Sequence, residues 1–389
     1  MADLLETLEL APFRQRFPWL GPDLQTLRDS LRPFPSPPET GGIHFALPDG
    51  GRLFARLDVP ALGPPRGLVV VVHGLGGSSD DGGQRRLGRA LQAMDLAVLR
   101  LNLRGAGPGR PLAAGTYAAG CSADLLPVLE ACRQLATELA GDGPPLPLAG
   151  VGISLGGTVL LNALLDCGRD RRPPPLDAMV GVSSPLDLAH CADHFERPRN
   201  RLYQSWMVRR LIQQTLNDPL PLSIVERTGL TGSARPRTIR EFDALITAPR
   251  WGFADVATYY ASCSPLSRLR QLLDALPVSG DRPGPLLLVH AMDDPWVPVA
   301  ATRALAEASS SRRLDTAASC WPDVVLTPSG GHCGFHAAGD HAVQGRWSDR
   351  LVGRWLRWSL KGSHCRRAED LAGIREPPGG EQEPQEPGS

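Results

Sequence analysis

Lysine is all but missing from this chain. Lys361 is the only one among 41 Lys and Arg residues, and the arginines that replace it are scattered over the whole length beside abundant Ala, Gly and Pro. That pattern is a compositional bias and points to no function. Net charge is missing too, since Asp and Glu also number 41. No overall field would hold the chain on nucleic acid or an anionic surface, which excludes nucleic-acid binding as an expectation. Nowhere is there an uninterrupted apolar run of the roughly 18 to 20 residues that a membrane span requires. The N-terminus, MADLLETLELAPFRQRFPWLG, has acids where a signal peptide has a basic region and no continuous apolar core, so a soluble, cytoplasmic protein is expected. The eight cysteines form no Cys-x-x-Cys pair, which leaves reduced structural thiols rather than zinc or thioredoxin-like chemistry.

What is present is a rhythm of short apolar runs. Residues 43–59 place two of them either side of Asp-Gly-Gly, the composition of an antiparallel hairpin. Near-continuous apolar segments follow at 67–74, 96–105, 146–154, 177–184, 285–294 and 323–332. Strands covered on both faces require that character. Helix-like stretches at 83–94, 121–139, 155–167, 299–309 and 344–360 alternate with them. The expectation is an α/β protein with a mainly parallel twisted sheet and helices on both faces. Residues 185–284 break the rhythm, being far longer than a crossover needs, and read as a helical cap inserted between strands 6 and 7. The domain plan is then an N-terminal extension (1–42) packing on the core, a first core part (43–184), the cap (185–284), a second core part (285–362), and a disordered tail (363–389) rich in Pro, Gly, Glu and Gln.

The stretch AGVGISLGGTVLL places Ser154 between Gly152 and Gly156. With 42 glycines in the chain, Gly-x-Ser-x-Gly decides little by itself. Its context decides more, because a strand runs into the serine and a helix-like segment leaves it, as in a nucleophile elbow. A serine hydroxyl needs a base, and the base an acid to fix its tautomer. Both follow at strand ends, in the chain order Ser, Asp, His. LLLVHAM leads to Asp293 and Asp294, of which Asp294 is preferred because it immediately precedes the Pro-x-Val-Pro turn. VVLTPSGG leads to His332, with His336 as its competitor. The oxyanion of ester cleavage would be met by backbone N–H groups, one from Leu155 and the other from HGLGG (73–77), where Leu75 is the candidate. The spacing His-x-x-x-His occurs in GGHCGFH and in HCADH (190–194), but without the glutamate of a zinc-protease helix, so no metal is expected. RGAGPGR (104–110) lacks the full dinucleotide spacing and reads as a loop at the rim. The reaction read from these residues requires no cofactor.

These residues resemble the YheT-like family of the α/β-hydrolase superfamily, whose eukaryotic relatives include membrane-anchored lipid esterases. FPWLGPDLQTL (17–27) resembles the family's N-terminal signature, RTIREFDALITAPRWGFADVATYYASCSP (237–265) its long cap motif, and LVHAMDDPWVP and SGGHCGF its acid and histidine segments. The resemblance runs from about residue 13 to 358. It implies the roles of nucleophile, acid and base for Ser154, Asp294 and His332. It further implies hydrolysis of carboxylic esters, with acylglycerols or other acyl lipids as candidate substrates. The membrane segment of the eukaryotic relatives has no counterpart, so only transient contact with a membrane surface is allowed for. Acyl transfer, thioester or amide cleavage on the same triad, and a silent scaffold, are the alternatives. Trp251, Phe253, Tyr259 and Tyr260 either line an acyl pocket or pack the cap onto the core. The residues carry no signal for oligomeric state.

Overall fold

The computed structural model describes residues 2–31, 41–275, 284–315 and 321–373. Its centre is an eight-stranded sheet formed by β1 (Ile43–Ala46), β2 (Arg52–Asp58), β3 (Leu68–Val72), β4 (Ala97–Asn102), β5 (Leu148–Ile153), β6 (Ala178–Val182), β7 (Leu286–Ala291) and β8 (Asp323–Thr327). The spatial order is β1-β2-β4-β3-β5-β6-β7-β8. β1 and β2 form the antiparallel hairpin, β2 joins β4 antiparallel, and every later pairing is parallel.

The apolar runs are continuous because both sheet faces are covered. Along β3, Leu68, Val70 and Val72 enter one core with helices α4 (Ser122–Ala140) and α5 (Leu155–Arg169). Val69 and Val71 enter the other, with α3 (Gly82–Gln92), the last helix and the N-terminal residues Leu5, Leu8 and Phe13. Successive strand side chains point to opposite faces, so a strand with no solvent face has no polar alternation. N-terminal helices α1 (Ala2–Thr7) and α2 (Gly21–Leu31) precede the sheet.

Between β6 and β7 the chain forms a helical insertion of α6 (Leu188–Phe195), α7 (Arg201–Leu216), α8 (Ile224–Thr231), α9 (Ile239–Phe242), α10 (Ala248–Arg250), α11 (Val256–Cys263) and α12 (Leu266–Ala275). Two of these starts carry full capping boxes, Ser223 with Glu226 and Thr238 with Glu241, each satisfying orphan N–H groups of a first turn. After β7 comes α13 (Ala300–Asp315), and after β8 comes α14 (Trp347–Gly373). That last helix runs past the end near 360 that the sequence suggests. Residues 374–389, most of the expected disordered tail, lie outside the described residues.

Candidate active site

Ser154 stands where β5 turns into α5. Its φ of 53° and ψ of −124° are strained for a residue with a side chain. The turn is tight enough that a Cβ on Gly152 would lie 2.2 Å from the Gly157 Cα, and one on Gly156 would lie 2.3 Å from the Val72 carbonyl oxygen. Both contacts are with backbone, so only glycine fits at either position. The Ser154 N–H donates to the Val182 carbonyl at 2.8 Å, which ties the elbow to β6.

The structure brings the three expected residues together. His332 Nε2 is 2.9 Å from Ser154 Oγ, and His332 Nδ1 is 2.9 Å from Asp294 Oδ2. Asp294 Oδ1 accepts the backbone N–H groups of Trp296 at 2.8 Å and Val297 at 2.9 Å. A second buried imidazole, His290, places Nε2 3.4 Å from Asp294 Oδ2 and engages Thr302 Oγ1 through Nδ1 at 2.8 Å. Burial by itself would raise the Asp294 pKa, but the imidazoles of His332 and His290 hold it well below the usual carboxylate range. Burial would lower the His332 pKa, yet the Asp294 carboxylate, with the Cys333 thiol, pushes it up to about 10. The site thus favours positive charge on the imidazole and keeps negative charge on the acid.

The competitors stand elsewhere. Asp293 Oδ1 accepts the Gly331 N–H at 2.9 Å, anchoring the histidine loop rather than its ring. His336 is buried with Nδ1 3.6 Å from Asp340. His194, of the other His-x-x-x-His spacing, engages the Pro295 carbonyl at 3.1 Å. Among the described residues no group of three or more His, Cys, Asp or Glu is placed to hold a metal ion.

Leu75 and Leu155 line the same cavity as Ser154, and no acceptor among the described residues takes either backbone N–H. The loop carrying Leu75 is braced from three directions. His73 accepts the Leu103 N–H at 3.2 Å. The Tyr117 hydroxyl accepts the Gly76 N–H at 2.7 Å and donates to the Gly74 carbonyl at 3.1 Å. Arg210 and Gln214 of α7 donate to the Gly76 carbonyl, at 2.8 and 2.9 Å.

The cavity measures about 380 Å³ and is walled by Leu188, Phe195, Met207, Leu211, Tyr259 and Tyr260, the apolar lining of a small-molecule site. Gly105, Ala106 and Arg110 of RGAGPGR reach its wall, the stretch from Gly107 to Leu112 forming a 3-10 helix rather than the expected loop. The insertion's aromatics divide. Tyr259 and Tyr260 line the cavity while bonding to the Ala119 N–H at 3.0 Å and to Asp243 at 2.8 Å. Trp251 donates to the Thr116 carbonyl at 2.7 Å and Phe253 packs on Tyr259.

Sequence reasoning missed how the histidine loop is held. Gln25 of α2, fully buried, donates to the carbonyls of Trp19 (2.6 Å) and His336 (3.0 Å) and accepts the His336 N–H (2.7 Å). Thr26 Oγ1 accepts the His332 N–H at 2.9 Å. Asp29 of the same helix pairs with Arg346 and, at 2.8 Å, with Arg86. Arg346 in turn donates to the carbonyls of Cys333 (3.0 Å) and Gly334 (2.8 Å). Trp296 stacks on the His332 ring with centroids 4.7 Å apart and planes 24° apart. Gln25, Thr26 and Trp296 stand in FPWLGPDLQTL and DPWVP, but a glutamine or threonine more than 300 positions from a histidine carries no local signal of contact with it.

A family model for the alpha/beta hydrolase fold matches residues 67–337. An Escherichia coli (strain K12) protein named "Putative esterase YheT" is 29% identical over 328 residues, covering 82% of this chain and 85% of the relative. Human "Phospholipase ABHD3" is 24% identical over 299 residues, covering 77% of this chain and 66% of the relative. "Monoacylglycerol lipase" of Saccharomyces cerevisiae is 24% identical over 240 residues, 59% of this chain and 48% of the relative. A solved structure of a soluble variant of monoglyceride lipase from S. cerevisiae aligns with a TM-score of 0.47 at 16% identity, covering 83% of this chain and 98% of that one.

Proposed function

Because the chain belongs to the α/β-hydrolase family, with relatives named for ester cleavage, we propose that it is a serine esterase acting on carboxylic esters, acyl lipids among them. The observation that carries the reading is the continuous hydrogen-bonded line from Ser154 Oγ through His332 to Asp294, opening on an apolar cavity.

In this reading His332 Nε2 takes the Ser154 proton as Oγ attacks the ester carbonyl. The negative charge that develops on the carbonyl oxygen meets the N–H groups of Leu75 and Leu155, each worth about 3 kcal/mol of barrier. The imidazolium, stabilised by Asp294, hands its proton to the leaving alcohol, and the acyl group stays on Ser154. A water molecule, deprotonated by the same imidazole, then cleaves the acyl-enzyme and returns Ser154 to its resting state. The free backbone donors support the oxyanion step, and the anionic acid beneath the imidazole supports the proton transfers.

Hydrolysis of p-nitrophenyl esters with two to sixteen carbons tests the reading, with Ser154→Ala beside the parent. Parent activity that falls by about 10⁴-fold or more in the variant is expected. Equal rates in the two proteins would overturn it.

A further inference from the structure

Helix α7 is apolar on two opposite sides. Met207 and Leu211 turn inward and line the cavity, whereas Leu202 is 84% exposed and Trp206 48% exposed. An amphipathic helix ordinarily turns polar side chains outward, yet here Leu202 stands bare and Trp206 is only half covered, by Arg210 and Trp296. The N-terminal segment meets α7 at this end. Asp23 of α2 joins the start of α7 through Arg199 at 3.0 Å and the Tyr203 hydroxyl at 2.8 Å, and Phe17, Leu20 and Leu24 beside it are exposed too. The patch lies beside the site, since the Trp206 ring is 6.3 Å from Trp296, which stacks on His332.

Charge says what covers it. Residues 197–210, RPRNRLYQSWMVRR, contain five arginines and no acid. Arg197, Arg201 and Arg209 are exposed, and none pairs with a carboxylate among the described residues. Leu202, Trp206 and Arg209 fall on one face of α7 by spacing. A two-fold contact between copies presents the same patch from both sides and would bring these arginines toward one another. An anionic lipid surface takes both features at once, the apolar side chains entering the acyl boundary and the arginines reaching the headgroups.

We propose that Phe17, Leu20, Leu24, Leu202 and Trp206, fringed by Arg197, Arg201 and Arg209, dock the protein on a bilayer surface containing anionic lipid. The overall charge balance conceals this local excess. That docking brings acyl esters to Ser154 rests on the esterase reading; the docking itself does not.

Flotation with vesicles of phosphatidylcholine alone, and of phosphatidylcholine with an equal part of phosphatidylglycerol, tests the proposal at low and high salt. The parent should float with the anionic vesicles and lose that preference as salt screens it. Phe17→Ser with Leu202→Ser should weaken binding by at least about tenfold, and Arg201→Gln with Arg209→Gln should erase the difference between the two vesicles. Both variants should hydrolyse a soluble short-chain ester at the parent's rate. A parent that floats with neither vesicle, or a Ser variant that floats like the parent, would overturn the proposal. So would a parent dimer that the Ser variant splits, because the patch would then be a contact between copies. A parent that floats but cleaves no ester would remove the esterase reading and leave the docking surface standing.

Discussion

Ser154 and His332, the proposed nucleophile and base, are held in place by opposite means. Ser154 owes its position to consecutive residues, a strand, a strained turn and a helix, with Gly152 and Gly156 admitting the close backbone approach. His332 sits on a loop after β8 that is held by Asp293 and Arg346 and, from the other end of the chain, by Thr26 at its N–H and Gln25 at His336. One half of the site is therefore a local motif and the other a tertiary assembly. The conformational entropy of ordering the second half is offset only once α2 has docked.

Three substitutions break or sharpen that contrast. The largest effect is expected from Asp294→Asn, which keeps the shape but removes the charge and inverts the bonding at His332 Nδ1. Turnover should fall by about 10⁴-fold. The pH profile carries the sign. Activity needs the neutral imidazole, and Asp294 raises the His332 pKa, so the acid limb of kcat/KM in the parent should lie above the ordinary histidine value of about 6.5. In the variant that limb should move to lower pH; a limb left in place would show that Asp294 does not set it.

Gln25→Leu comes next. It leaves the His336 N–H and carbonyl buried without partners, which should cost about 2 to 4 kcal/mol of stability in urea unfolding and lower kcat alongside. Unchanged stability would mean that the loop holds its own shape. The smallest effect belongs to Thr26→Val, which unpairs the His332 N–H and removes the hydroxyl's bond to the Pro22 carbonyl within α2. A kcat lowered by about tenfold at constant KM is expected, with Thr26→Ser restoring the hydroxyl and the rate. If Val and Ser behaved alike, the histidine side would be as self-sufficient as the elbow.

Legibility follows the same division. The strands could be read because both sheet faces are covered, so that Leu68 to Val72 show as one apolar run. The elbow could be read because its glycines and serine are neighbours in sequence. Preferring Asp294 to Asp293 needed only the adjoining turn, and the structure gives Asp294 to the imidazole and Asp293 to the Gly331 N–H. The bracing of the loop at Gly76 by Tyr117 and Arg210, the stacking of Trp296 on His332 and the second imidazole at Asp294 left no trace of that kind. The first two join residues distant in the chain, and His290, four positions before Asp294, lies inside an apolar strand run where nothing marks it as a partner of the acid.

Sequence alone determined the alternation of strands and helices, the elbow and the order of serine, acid and histidine, because each is written in near neighbours, where backbone geometry and side-chain periodicity act directly. Tertiary structure alone decided that α2 clamps the histidine loop, that α7 closes over the cavity, and that an evenly charged chain gathers arginines and bare apolar side chains beside its site. Those features depend on which distant surfaces meet, and contact between distant residues is chosen by the packing of the whole chain.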